Sequence, residues 1–435
     1  MRSILSGLFL LFAAPALSEN IIATEIAALS AEGVGLLAPS QLNLPNDLFV
    51  GVSAEAAARA FPRHNPNAPP AVNDLLRFVA KTSFDPPVSP ISPSPFLLKR
   101  LDHLEKVGSI DALEALLRQV GTNSPQLFER WMAASIWLGL EVEPCEVIDQ
   151  VPSPKPLEAV IFCTALNGDP NRAIAMVEIA ASLGRLNERD TNLFLTFFDP
   201  EIFEDLNPGA AKPKDSAIAF FMRFDMGFDL PKLAETLGPE LKTLNGFAPW
   251  RDRINAAEAL ARSGAITGAR MLAVYQEGSP PASGQPWDRI EDLVTAWDRQ
   301  DVTEDQLKAL LAQFEAAGLL SSLAEAIAPL IDAELAETSL GKCFLTLSAT
   351  EDAPQLALLD TEPPSPLRFV LRDSDQPVDD PDGRDLLEAL THLSADQPDL
   401  RQMANDLGVL RAIGLSDWAD LIAMQIYAKN TWCAL

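Results

Sequence analysis

Apolar residues recur in this chain at helical spacing, and that pattern governs what it can fold into. Leu113, Leu116, Leu117 and Val120 fall at i, i+3, i+4 and i+7, the stripe that one helix face buries. Ser124-Pro125 and Asp169-Pro170 each set a capping side chain before a proline at the first helical position, where a missing N–H costs nothing. Thr303 to Gln306 and Ser322 to Glu325 have the spacing of capping boxes, and Leu323, Ile327, Leu330 and Ile331 line one face behind the second. The fold class predicted from this is all-α. Between Cys343 and Asp385 the helical signal fades: Leu367, Phe369 and Leu371 alternate with Arg368, Val370 and Arg372, which leaves a short strand, a short helix or an irregular excursion open.

Proline and glycine mark the boundaries. Residues 19–61 read as an N-terminal helical segment. Nine prolines then fall between Pro62 and Pro95, so 62–95 reads as an extended linker or a spacer lying across the body, interrupted by a short helix around Val72 to Lys81. A first helical block covers 96–278, a Pro/Ser/Gly-rich linker 279–286, and a second block 287–435. Residues 1–18 carry Arg2, the apolar run Ile4 to Phe12 and the small-residue step Ala16-Leu17-Ser18. That run is much shorter than the roughly 20 residues of a membrane span. It reads as an export signal cleaved near Ser18, and the Ala/Leu/Asp/Pro-rich usage points to a bacterial periplasm.

Lys and Arg total 33 against 61 Asp and Glu, a formal charge of −28. Such a surface repels phosphate backbones and anionic lipid, which argues against nucleic-acid and polybasic membrane binding. Cys145, Cys163, Cys343 and Cys433 are even in number, as an oxidising compartment favours. Of their three pairings the sequence-local one, Cys145–Cys163 with Cys343–Cys433, is preferred, with four buried thiols as the alternative. Their spacing makes no CxxC pair, so no metal site is expected.

A recurrent step joins successive helices. It stands at Gly108 (LEKVGSIDALEALL), Gly168 (ALNGDPNRAIAMV), Gly264 (ARSGAITGARMLAV), Gly318 (EAAGLLSSLAEAIA) and Gly414 (RAIGLSDWADLIAM). Each glycine closes one helix in the left-handed conformation that larger residues resist. Ala173, Ala269 and Ala419 stand five residues on, where a small side chain lets the next helix approach; Ala112 and Ala324 are one position off. This G-x4-A step resembles the turn of a tetratricopeptide repeat. The resemblance covers about five helix pairs, under half the chain, and implies an irregular helical-hairpin solenoid whose concave face takes a protein or peptide partner. The glycines are irregularly spaced and the family's aromatic-Leu-Gly positions are absent or unclear, so a different all-helical packing stays open.

The chain carries no recognised catalytic constellation. His64, His103 and His392 form no zinc-type pair, and no GxSxG elbow occurs. Ser339-Leu340-Gly341-Lys342 matches SxxK without companion motifs and falls where a helix is expected to end. Asp373, Asp375, Asp379, Asp380, Asp382 and Asp385 read as a solvated loop whose last aspartate caps a helix, out of register for an EF-hand calcium loop. No cofactor motif is present. Of seven tryptophans most sit in helical patterns, as Trp418 does beside Leu421, Ile422 and Ile426; Trp250 and Trp287 stand beside proline at segment starts, where they could anchor an interface. The expected function is that of a non-catalytic exported scaffold or adaptor for a protein or peptide partner, in an envelope or motility assembly. The alternative is a periplasmic hydrolase with a carboxylate pair in a cleft between the helical blocks, and a soluble ligand-binding protein fits less well because the α/β pattern is lacking.

The preferred pairing makes the two disulfides unequal, because the loops they close differ in length. Chain entropy gives roughly 3 kcal/mol for the bond across 18 residues and about 4.6 kcal/mol for the one across 90. Urea unfolding of Cys145→Ser and Cys343→Ser should therefore show the second substitution as the costlier.

Overall fold

A computed structural model describes residues 31–120, 124–212, 215–227, 250–278, 288–349, 380–395 and 399–433. Within these the chain is helical with no strand; two isolated bridges, Leu37 with Thr82 and Ser53 with Val88, are the only β-type pairings among the described residues. No described helix is long and apolar enough to cross a membrane. The stretch 367–371 and most of the aspartate loop lie outside the described residues, as do the signal segment and the linker 279–286.

Residues 31–53 run irregularly with two short 3-10 turns, and the first α-helix among the described residues is α1, Ala54–Ala60; residues 19–30 of the expected N-terminal helical segment lie outside the described residues. Then follow α2 (Pro70–Lys81), α3 (Pro95–Lys106), α4 (Ile110–Val120), α5 (Pro125–Leu138), α6 (Val142–Val147), α7 (Leu157–Leu166), α8 (Pro170–Ser182), α9 (Glu188–Phe198) and α10 (Ala217–Asp225). Beyond residue 249 come α11 (Trp250–Arg262), α12 (Gly268–Gln276), α13 (Asp288–Arg299), α14 (Glu304–Ala316), α15 (Leu320–Ile327), α16 (Ala333–Ala336) and α17 (Ser339–Leu347). The last three are α18 (Gly383–Leu393), α19 (Leu400–Ala412) and α20 (Ser416–Thr431). Neighbours in sequence are mostly neighbours in space, each helix packing on the next. Ser124, Asp169 and Thr303 cap α5, α8 and α14 through the amides of Leu127, Arg172 and Gln306. Ser322 caps nothing: α15 starts at Leu320, and the Ser322 hydroxyl bonds the Ala261 carbonyl instead.

The proline-rich stretch is not a free linker. It holds α2, whose Ala71, Val72, Leu75, Leu76, Val79 and Ala80 are buried against α3, α18 and α20. Prolines stop helix on either side of α2, but they do not stop burial. The approach to α2 is pinned by the far end of the chain. Gln425 Oε1 accepts the Ala71 amide (2.8 Å), Asn65 Nδ2 donates to Ser394 O (2.7 Å), and Lys429 Nζ donates to Asn67 O (2.7 Å). Phe78 meets Trp418 edge-on at 5.7 Å. The middle of the chain joins the same hub. Arg77 donates to Gly264 O, His64 Nε2 lies 2.7 Å from Arg262 O, and Ser263 Oγ donates to Val107 O (2.7 Å).

Arg100, 1% exposed, sits at the centre of this junction. Its guanidinium donates to the carbonyls of Ala80 (3.0 Å), Thr82 (2.7 Å) and Val34 (2.9 Å), binding the C-terminal end of α2 and the preceding loop to α3. Burial lowers its pKa to about 10, against the opposing field of Glu32, so it stays charged. A buried cation is tolerable only with such partners, and carbonyls at a helix C-terminus carry the matching partial charge.

Gly108, Gly168, Gly264, Gly318 and Gly414 all have positive φ. At each, the glycine amide bonds the carbonyl three residues back and the next amide the carbonyl four residues before the glycine, as in Gly108 to Glu105 and Ser109 to Leu104: a Schellman closure. Gly139 and Gly184 close α5 and α8 in the same way. The small residue five positions on is buried at Ala173 and Ala419, as is Ala324 six positions on, but Ala269 is exposed. In that hairpin Gly268 takes the contact, for a Cβ there would stand 1.9 Å from Ser322 O of α15.

Two hairpins also share a polar clamp. Glu114-Ala115-Leu116-Leu117-Arg118 and Glu258-Ala259-Leu260-Ala261-Arg262 each bury a glutamate at 3% exposure. Each glutamate pairs with the arginine one turn on and accepts a hydrogen bond from an aromatic 17 residues downstream: Trp131 Nε1 (3.0 Å) and Tyr275 OH (3.0 Å). Arg289 of α13 adds a second cation to Glu258; burial and then the Glu258 carboxylate push the Tyr275 phenol far up, against the opposing effect of Arg289.

Two measurements test the hub. Arg100→Met leaves three carbonyls without their donor and should cost about 3 kcal/mol in urea unfolding. His103, packed on Phe61 with rings 5.5 Å apart, has its pKa lowered to about 3 by burial and then by the charges of His64, Arg77, Lys106 and Lys99. The unfolded chain takes up this proton first, so stability should fall as pH drops from about 6.5 toward 3, by up to about 4 kcal/mol. His103→Leu should flatten that acid slope in denaturation series at fixed pH values.

Candidate functional site

A cavity of about 500 Å³ opens where α5, the start of α7, the turn after α8 and the start of α10 converge. Pro156 precedes the first turn of α7 and so fixes where that helix begins; Glu158 lies in that turn, where the helix dipole favours a carboxylate. Ser216 is the N-cap of α10: its hydroxyl accepts the Ala219 amide (3.2 Å) and donates to Glu158 Oε2 (2.8 Å). Two helix starts thus face one another across one serine–glutamate hydrogen bond. Met132, Ala133, Leu157, Leu186 and Ile218 give apolar wall, while Glu129 and Arg185 stand at its polar edge.

Glu158 has its pKa raised, first by burial and then by the fields of Asp190, Glu129 and Asp215; the Ser216 hydrogen bond works the other way. A recess of about 190 Å³ shares Glu158 and Ser216 and is bounded by Arg189, Asp190 and Asp215. Arg189 does not relieve Glu158. It pairs with Asp215 and with Asp190 (3.1 Å), and the Asp215 hydrogen bond holds its pKa above the usual arginine value. The cleft therefore presents carboxylates beside apolar surface, an environment suited to a cation with an apolar stem.

The cysteines selected from sequence lie at disulfide distance in the sequence-local pairs. Cys145 of α6 meets Cys163 of α7 with Cα atoms 4.9 Å apart, and Cys343 of α17 meets Cys433 after α20 at 5.3 Å. Neither pair lines the cleft. Trp250 turns inward: its indole N–H donates to Val274 O (2.8 Å) and its ring lies over Gly278. Trp287 lies outside the described residues. Ser339 begins α17 behind the Thr338 cap, so the SxxK stretch opens a helix where the sequence reading had one closing. Asp382, not the last aspartate, is the N-cap of α18, with Asp385 completing its capping box. No group of three or more metal-ligating side chains occurs among the described residues.

Glu158 was not singled out from sequence. Among 61 acids its only local signal is the Pro-Leu-Glu start of a helix, and the residues that raise its pKa come from α5, α9 and the start of α10. Comparison with protein-family models, with curated proteins and with solved structures finds no match.

Proposed function

We propose that this chain is an exported helical-repeat scaffold, of the tetratricopeptide-like hairpin kind, that binds a protein or peptide partner, with the cleft at Glu158 receiving a lysine or arginine side chain of that partner. The observation that carries the reading is the cleft itself: about 500 Å³ of apolar-walled space with a carboxylate whose one direct hydrogen-bond partner among the described residues is a serine hydroxyl. A cationic side chain placed against Glu158 would restore charge balance and lay its methylene stem on Met132 and Leu157. The glycine-closed hairpins support the repeat-like character, and the two cysteine pairs fit an oxidising compartment.

The raised Glu158 pKa and the neighbouring Glu129 favour a second reading, a hydrolase with Glu158 as proton donor. Its carboxylates lie within the first helical block, between α5 and α7, whereas the sequence-based alternative put them between the two blocks.

Calorimetric titration with short leucine-flanked lysine peptides and their norleucine counterparts tests the proposal. The lysine peptides should bind at least tenfold more tightly, and Glu158→Gln should remove that preference. Equal binding of both peptide sets, or no binding, rejects the scaffold reading of this cleft. Hydrolysis of a peptide or glycan substrate that is lost in both Glu129→Gln and Glu158→Gln would establish the second reading in its place.

A further inference from the structure

A second pocket, of about 330 Å³, lies at the seam between α1 and α18, where the beginning of the described chain meets its last helices. It runs against the electrostatics of the whole molecule. In a chain with 61 acids and 33 bases, its wall carries Arg59, Arg384 and His392 against one carboxylate, Glu388. That carboxylate is engaged by Arg384 (2.7 Å), and Arg59 has no ion pair among the described residues.

The histidine is oriented from behind. His392 Nδ1 lies 3.2 Å from Asp406 Oδ1, and Gln402 Nε2 donates to the same oxygen (2.9 Å). Asp406 is 3% exposed, and its Oδ2 has no hydrogen-bond partner among the described residues. Gln402 Nε2 also lies 3.2 Å from His392 Nδ1, so both side chains of α19 fix the orientation of the ring. His392 is itself 46% exposed and lines the pocket. The seam is also held in place: the Thr391 hydroxyl donates to Ala60 O (3.2 Å), and Gly383 N to Leu48 O (2.7 Å). The two arginines come from different helices, so their separation is set by packing between α1 and α18.

We propose that this pocket binds a small doubly charged oxyanion, a phosphate-type group or a dicarboxylate, between Arg59, Arg384 and His392. Arginines give forked donors that match either group, and the His392 ring adds a polar edge to the same wall. The groups facing the histidine are Asp406 and Gln402 from α19, Arg384 and Glu388 from α18, and Arg59 from α1. This site is independent of the Glu158 cleft.

Titration calorimetry on the full chain tests it with sulfate, whose charge stays constant from pH 5.5 to 8, and with succinate. Sulfate binding represents the phosphate-type source and succinate binding the dicarboxylate source; binding of either sustains the proposal. Arg59→Gln, at an exposed position that leaves the core untouched, should weaken binding at least fivefold with an unchanged melting temperature. His392→Leu, which removes the ring nitrogens from the pocket wall, should weaken binding as well. Binding of neither anion, or equal affinity in Arg59→Gln, overturns the proposal.

Discussion

The burial of α2 is the interaction on which the rest of the described structure depends. Its apolar face is covered by helices from both ends of the chain, and its first-turn amide at Ala71 is satisfied by Gln425, 354 residues away. Arg100 supplies the equivalent service at the other end of α2, bonding the carbonyls of Ala80 and Thr82. A helix exposes unpaired amides at one end and unpaired carbonyls at the other, and burying either end without partners is expensive. Here the carbonyl partner comes from the next helix and the amide partner from the far end of the chain, so the N-terminal end of α2 is satisfied only when the last helices have closed on it.

The two pockets differ in how far they depend on that closure. The Glu158 cleft lies among α5, α7, α9 and α10, helices joined mostly by local hairpins, and its chemistry is set by two helix starts brought face to face. The basic pocket lies on the closure seam itself, and needs α1 and α18 together before Arg59 and Arg384 share one space. One site thus belongs to a run of neighbouring helices and the other to the joining of chain ends, which lets each be perturbed without the other.

Much of the local architecture is legible in the sequence. Glycine turns at 108, 168, 264, 318 and 414 mark real helix ends, because a left-handed C-cap needs a residue without Cβ. Caps at Ser124, Asp169 and Thr303 are likewise readable, since a cap is settled within four residues. Ser322 shows the limit: its spacing to Glu325 fits a capping box, but α15 starts two residues earlier and the serine faces Ala261. The clamp shared by Glu114 and Glu258 left a trace in the Glu-Ala-Leu-x-Arg echo, a signal independent of the glycine turns.

By itself the sequence determined the helical class, most helix ends and the pairing of neighbouring helices, because each of these is decided by groups within a turn or two of one another. Only the tertiary structure decided that the proline-rich stretch lies at the core, that Trp250 packs inward and that burial raises the pKa of Glu158. Proline forbids a hydrogen bond at its own nitrogen but says nothing about which surface covers its neighbours. A carboxylate's pKa depends on charges and solvent exclusion brought from several helices at once. Both are properties of assembled surfaces, and no window along the chain contains them.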